Sequence, residues 1–256
     1  MLPNCIFCDN ESGSEEHLWP DWMHKLVKFA PLNIQEANGP VVTGQNPEQT
    51  INTVCHTCNN GWMSRIEQKN ISRLKPMLVN TPITIDPGGM KILAEWAVNR
   101  AMVAESIKLR NDNVNFYTRE ERFAFREKQT IPGMTRIWIG ALSNSHIGCH
   151  GTDYTIMLDD RKTRIGTGSV NTVYAGHFVV QTVTEHLHPP YVSDRRVFIT
   201  PPLGVCDERL VEIYPTGPKK LHWPPKPFTD EGPTGVIALR DRWHRGKKTD
   251  KIKNMD

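Results

Sequence analysis

The chain has 256 residues, 38% of them hydrophobic and 23% charged, with 18 Gly and 19 Pro, a globular composition that excludes collagen, coiled coil and wholesale disorder. No apolar run reaches the ~18 residues a membrane-spanning helix needs, and Glu11, Glu15 and Glu16 stand where a secretory signal would need an apolar stretch. The formal net charge of +3 conceals a division: residues 1–64 carry seven acids against two bases, 65–256 carry +8, and 240–256 alone hold seven bases against three acids.

In chain order, Cys5-Ile6-Phe7-Cys8 reads as a tight knuckle, followed by a Ser/Glu/Gly stretch and then Glu15-Glu16-His17-Leu18-Trp19-Pro20. Residues 21–30 put Trp22, Leu26 and Phe29 on one helical face until Pro31 stops the pattern. Residues 31–50, rich in Asn, Gly and Pro, read as a loop. A second knuckle, Cys55 to Cys58, leads into a helix predicted from near Asn60 to about Pro76, with Trp62, Ile66 and Leu74 or Met77 inward. Arg65, Lys69 and Arg73 recur every fourth residue and so share another face of that helix. Residues 90–110 form the clearest helix, with Ile92, Leu93, Trp96, Ala97, Met102, Val103 and Ile107 as its apolar stripe.

Beyond it, 135–142, 153–159, 170–183, 195–200 and 211–215 are short runs of β-branched and aromatic residues between Gly, Pro or Asp turns, read as an antiparallel sheet. From about 216 the Pro-rich stretch and basic tail look extended or disordered. The expected class is α+β, divided into a small cysteine-bearing module (1–79), a region with a long helix and an antiparallel sheet (80–215) and a tail (216–256).

Four of the six cysteines form two C-x-x-C pairs, Cys5/Cys8 and Cys55/Cys58, whereas Cys149 and Cys206 stand alone. The expected compartment is the reducing cytosol, where paired thiols are more often metal ligands than disulfides. Two knuckles complete a tetrahedral four-thiolate zinc site. Beside them lie Glu16-His17 and Asn59-Asn60. Glu and His make a metal-ligand and general-base pair, and an Asn amide oxygen suits a hard ion such as Mg²⁺ or Mn²⁺. That combination suits hydrolysis of a phosphodiester.

CIFC, then SEEHLWPDWM, then INTVCHTCNNGWMSRIE resemble the HNH (His-Me finger) endonuclease module of the four-cysteine kind over about residues 1–75. The resemblance implies a ββα-metal fold in which a β-hairpin and a helix surround one catalytic metal while zinc holds the base. It implies further that His17 is the general base, that Glu16 and Asn59 hold a catalytic Mg²⁺ or Mn²⁺, and that Asn52, as the middle Asn, orients His17. Asn60 is a rival for Asn59. In the implied reaction His17 takes a proton from water, the water attacks phosphorus, and the 3′ oxygen departs.

The same residues also have plainer readings. His17 can bridge a knuckle without catalysis, His56 reads as a solvated filler, and Asn59 or Asn60 can cap the next helix. The basic stripe and tail can follow a phosphate backbone or simply face water. The expected partner is therefore DNA ahead of RNA, with no membrane. The alternatives are a non-catalytic zinc module binding nucleic acid or protein, and a nuclease toxin or defence effector restrained by residues 80–256.

Overall fold

The fold, taken from a computed structural model, is described for residues 3–27, 32–35, 41–44, 50–107, 116–158, 162–193 and 209–229. Strand β1 (Ser14–His17) pairs antiparallel with the strand that precedes the second knuckle, Thr50–Val54, setting Glu16 opposite Ile51 and His17 opposite Thr50. The later strand is rich in β-branched residues that fit a pleated surface, and its Ile51 and Val54 are buried. Between the two, α1 is a single turn (Asp21–His24), shorter than the predicted 21–30, whose last residues lie outside the described ones. The predicted loop 31–50 holds a second antiparallel pair, β2 (Leu32–Gln35) with β3 (Val41–Gly44), so that Thr50–Val54 becomes β4. Two four-residue strands are too short to stand out among Asn, Gly and Pro.

The second knuckle opens a helix rather than preceding one. Cys55 is the N-cap, its Sγ accepting from Cys58 N at 3.4 Å, so α2 (His56–Cys58) begins within the knuckle. A wide π-type turn over Asn59–Met63, kinked at Gly61, then leads into α3 (Ser64–Leu78). After β5 (Ile83–Ile85) comes α4 (Pro87–Ala104), which starts before the predicted residue 90 because Asp86 caps it through Gly89 N at 2.7 Å and Pro87 suits the first turn. From Leu93 to Ala104 every residue of α4 except Glu95 is buried, so the helix is enclosed by α3 on one side and the main sheet on the other. Helix α5 (Arg119–Lys128) is a further element, opened by a Thr118/Glu121 capping box.

The predicted strands 135–142 and 153–159 are two ends of one strand, β6 (Met134–Met157), which pairs with β7 (Arg164–Leu187) on both sides of an irregularity between Ala141 and His146. Strand β8 (Leu210–Tyr214) takes the other edge of β6, giving the order β7-β6-β8. The long hairpin curls back on itself, with His188 N donating to Ile165 O at 2.7 Å. Gly176, at φ +59, is where β7 passes the end of α3; a Cβ there would stand 2.2 Å from the Leu78 carbonyl oxygen. The predicted strand 195–200 lies outside the described residues.

The expectation of an extended or disordered segment from 216 fails for 216–229. Strand β9 (Leu221–Trp223) pairs with β5, and Leu221, Trp223 and Phe228 are buried. The prolines there separate apolar residues that find places in the core.

The result is a mixed helix and sheet fold in which, among the described residues, every strand pairing within the sheets is antiparallel. One hydrophobic cluster runs from Cys5 and Phe7 through Trp62 and Trp96 to Phe178 and Trp223, with no break near residue 79. Trp62 sits edge-on to both Phe7 and Phe125, with ring centroids 5.0 and 5.7 Å away. Such aromatic pairs contribute about 0.5–1.5 kcal/mol each beyond their area burial, and here they tie the first knuckle to α5. No helix among the described residues is long and apolar enough to cross a membrane.

Candidate metal centre and adjoining polar site

The first knuckle reaches the second because its chain runs along β4: Ile6 N donates to Thr53 O at 3.0 Å and Gly13 N to Val54 O at 3.1 Å. Cys5, Cys8, Cys55 and Cys58 are thereby brought together, all buried, with their sulfurs within 4.8 Å of one another. Cys8 Sγ is 3.5 Å from Cys55 Sγ and 3.7 Å from Cys58 Sγ, far beyond a disulfide bond of about 2.05 Å. Amide groups already face the sulfurs: Phe7 N donates to Cys5 Sγ at 3.4 Å, and Asn10 Nδ2 to Cys55 Sγ at 3.9 Å. A hydrogen bond from Cys58 pulls the Cys5 thiol down to about 5, while that same bond and burial push Cys58 up, and burial raises Cys8. Four sulfurs in one buried space cannot all ionise unless a cation joins them. The cluster can hold a metal ion.

The helical segment after Cys58 is bonded to β1. The Asn59 side-chain Nδ2 donates to Ser14 Oγ at 2.9 Å and to Glu15 O at 3.1 Å. Both amide hydrogens are thus used, leaving the Asn59 oxygen for another partner. Neither Asn59 nor Asn60 is an N-cap, since Cys55 takes that place for α2 and Met63 for α3; Asn59 is half-buried at the end of α2 and Asn60 is exposed.

Along β1 the burial alternates, so Ser14 and Glu16 face inward while His17 is half-exposed. His17 Nε2 lies 3.5 Å from Oδ1 of Asp21, the first residue of α1. The ring of His24 stands edge-on to His17 at 6.3 Å, its own Nε2 3.0 Å from Trp19 O. Glu16 is 6% exposed, and its Oε1 accepts from Arg100 Nη2 of α4 at 2.7 Å. Asn52 is exposed on β4 and forms no hydrogen bond with His17. His56 is exposed.

Glu67, one turn into α3, belongs to the same neighbourhood. Its Oε1 accepts from Trp22 Nε1 at 2.8 Å. Burial pushes its carboxyl up, Arg100 and the indole oppose the rise, and the charges of Glu16 and Asp21 add to it. Arg65, Lys69 and Arg73 share one face of α3, as their spacing requires; the first two are exposed, and Arg73 donates to Lys69 O at 2.7 Å. Arg73 also lines a cavity of about 430 Å³ with Ser72, Thr84, Asp86 and Lys220.

Sequence reasoning passed over Arg100, Asp21 and Glu67. The signal for Arg100 was present: it falls at helical spacing among Leu93, Trp96, Val103 and Ile107, and a charge on that apolar stripe must be paired, because a buried charge without a partner is too costly. Asp21 and Glu67 carried no comparable signal. No family model, curated protein or solved structure matches the chain, so the HNH resemblance rests on the motif residues themselves.

Proposed function

We propose that the chain is a metal-dependent endonuclease of the HNH type, hydrolysing phosphodiester bonds of DNA. In this reading residues 1–79 form a ββα-metal module made of β1, β4 and the helix that follows. The metal of the four-cysteine cluster is zinc, because four thiolates in a closed, buried set are the usual ligands of structural zinc. The observation that carries the reading is the pair of Asn59 hydrogen bonds to Ser14 and Glu15, which seats the residue after the last cysteine against the strand that ends in Glu16-His17.

The donors fit a hard divalent cation: Asn59 keeps its amide oxygen, and Glu16, bonded to Arg100 through Oε1, keeps its second carboxylate oxygen. Mg²⁺ or Mn²⁺ bound there would act as a Lewis acid toward the phosphate oxygens. His17, half-exposed at the end of β1, removes a proton from the attacking water, and Asp21 supplies an opposite charge to the imidazolium that forms. Arg65 and Lys69 lie along α3 from Asn59 and bind the phosphate backbone by charge.

A second reading, a non-catalytic zinc module that binds nucleic acid, is favoured by the buried Glu16–Arg100 ion pair, which already satisfies one Glu16 oxygen. Incubation with supercoiled plasmid and Mg²⁺ or Mn²⁺ separates the two. Open circles from the wild type and none from His17→Ala support the nuclease; binding without cleavage under both metals supports the module.

A further inference from the structure

Arg100 is 2% exposed, yet each of its N–H groups has an acceptor. Nε donates to Asn99 Oδ1 at 3.0 Å, Nη1 to His17 O at 2.9 Å and Leu18 O at 3.2 Å, and Nη2 to Glu16 Oε1 at 2.7 Å and to Asn99 Oδ1. These bonds account for the five donors of a guanidinium. Three of the acceptors belong to consecutive residues, Glu16, His17 and Leu18, at the end of β1. The donor comes from α4, beyond the boundary expected at residue 79.

A buried ion pair is often worth no more to stability than an apolar pair of the same volume. A planar fork of donors, by contrast, fixes the geometry of whatever it binds. Here it fixes a carboxylate by one oxygen and a backbone by two successive carbonyls, and the side chain between those fixed points is His17. Asn99 fixes the fork in turn.

We infer that Arg100 is a positioning residue for the proposed nuclease site: by holding Glu16 Oε1 and the His17 and Leu18 carbonyls, it presents the second Glu16 oxygen to the metal and His17 to the water. This rests on the nuclease reading. It makes α4 part of the catalytic unit, so that residues 1–79 alone carry an incomplete site. Lysine keeps the charge of Arg100 but, as a point ammonium, cannot span the carboxylate and both carbonyls.

The test uses the full chain as wild type, Arg100→Lys, Asn99→Ala and Glu16→Gln, each checked for zinc content and thermal unfolding, then titrated with Mn²⁺ by calorimetry and assayed for plasmid nicking. Arg100→Lys is expected to keep its zinc while Mn²⁺ affinity and kcat each fall roughly 10- to 100-fold, the range for residues that orient metal ligands, with KM for DNA little changed. Asn99→Ala, which leaves the charge in place, should move both quantities in the same direction by less. Unchanged Mn²⁺ affinity and kcat in Arg100→Lys would overturn the inference. So would loss of zinc and of the unfolding transition in both Arg100→Lys and Asn99→Ala, which marks a purely structural clamp. A wild type that leaves DNA intact, yet binds Mn²⁺ at a site weakened by Glu16→Gln and Arg100→Lys, overturns the nuclease reading and keeps the positioning role. No Mn²⁺ binding and no cleavage overturns both.

Discussion

The Asn59 side-chain amide donates to the Glu15 carbonyl at 3.1 Å, a bond between residues 44 positions apart that seats the turn after the second knuckle against the strand ending in His17. The strand pairing and the cysteine cluster converge on the same place.

Cys55→Ser removes one sulfur from the cluster and also the acceptor that caps α2. If the cluster holds zinc, as proposed, the metal contributes on the order of 10 kcal/mol to folding at neutral pH. The variant should therefore purify without stoichiometric zinc and lose the cooperative unfolding of its N-terminal part, read by metal analysis and thermal melting. Unchanged zinc content and an unchanged melt would remove the four-cysteine site from the account.

Asn59 and Asn60 are adjacent but differently placed. Asn59→Ala loses two hydrogen bonds, worth about 1 kcal/mol each, together with the proposed metal ligand. Asn60 is exposed, and Asn60→Ala should change stability by less than about 0.5 kcal/mol and leave cleavage intact. If Asn60→Ala stops cleavage and Asn59→Ala does not, the assignment is reversed.

Arg65 and Lys69 are exposed on one face of α3. If each meets a phosphate, Arg65→Ala and Lys69→Ala should weaken DNA binding similarly for all sequences and flatten the plot of log affinity against log salt by about one unit per lost contact. Fluorescence anisotropy at several salt concentrations measures this. An unchanged slope in both variants would return the stripe to an ordinary solvated face.

Away from the site, burial raises the Glu185 carboxyl, with the Tyr154 hydroxyl (2.7 Å) and the Arg136 charge opposing the rise. A carboxyl raised in the folded chain holds its proton more tightly there than when unfolded. Its contribution to stability is thus fully present below the unfolded value of about 4.3 and is lost as pH climbs through the raised folded value. Glu185→Gln keeps an acceptor for Tyr154 and removes the ionisation. Its Tm should equal or exceed that of the wild type at pH 7, with the gap narrowing in acid. A lower Tm at pH 7 would show that the charge itself stabilises the fold.

Much of the site could be read from spacing because local rules decide it. Two C-x-x-C knuckles imply one cluster whatever folds between them, and the fourfold spacing of Arg65, Lys69 and Arg73 implies one face of a helix. Contacts between distant segments could not be read this way. Arg100 meets Glu16 across 84 positions and Trp22 meets Glu67 across 45, and no periodicity encodes either. The fold shows the same division. Helix α4 was legible from its apolar stripe, whereas β9 was hidden because prolines dominate its surroundings while its burial depends on pairing with β5. The capping box of α5 was a local signal, overlooked because Arg, Glu and Lys outnumber the apolar residues of that helix.

The central claim is that His17 drives hydrolysis with departure of the 3′ oxygen, and the chemistry of the cut ends tests it most directly. Supercoiled plasmid treated with zinc-loaded protein and Mg²⁺ or Mn²⁺ should acquire nicks bearing a 3′ hydroxyl and a 5′ phosphate. DNA ligase should reseal them, and zinc-loaded His17→Ala should produce none. Plasmid left intact by the wild type, nicks that ligase cannot reseal, or equal nicking by His17→Ala would contradict the account.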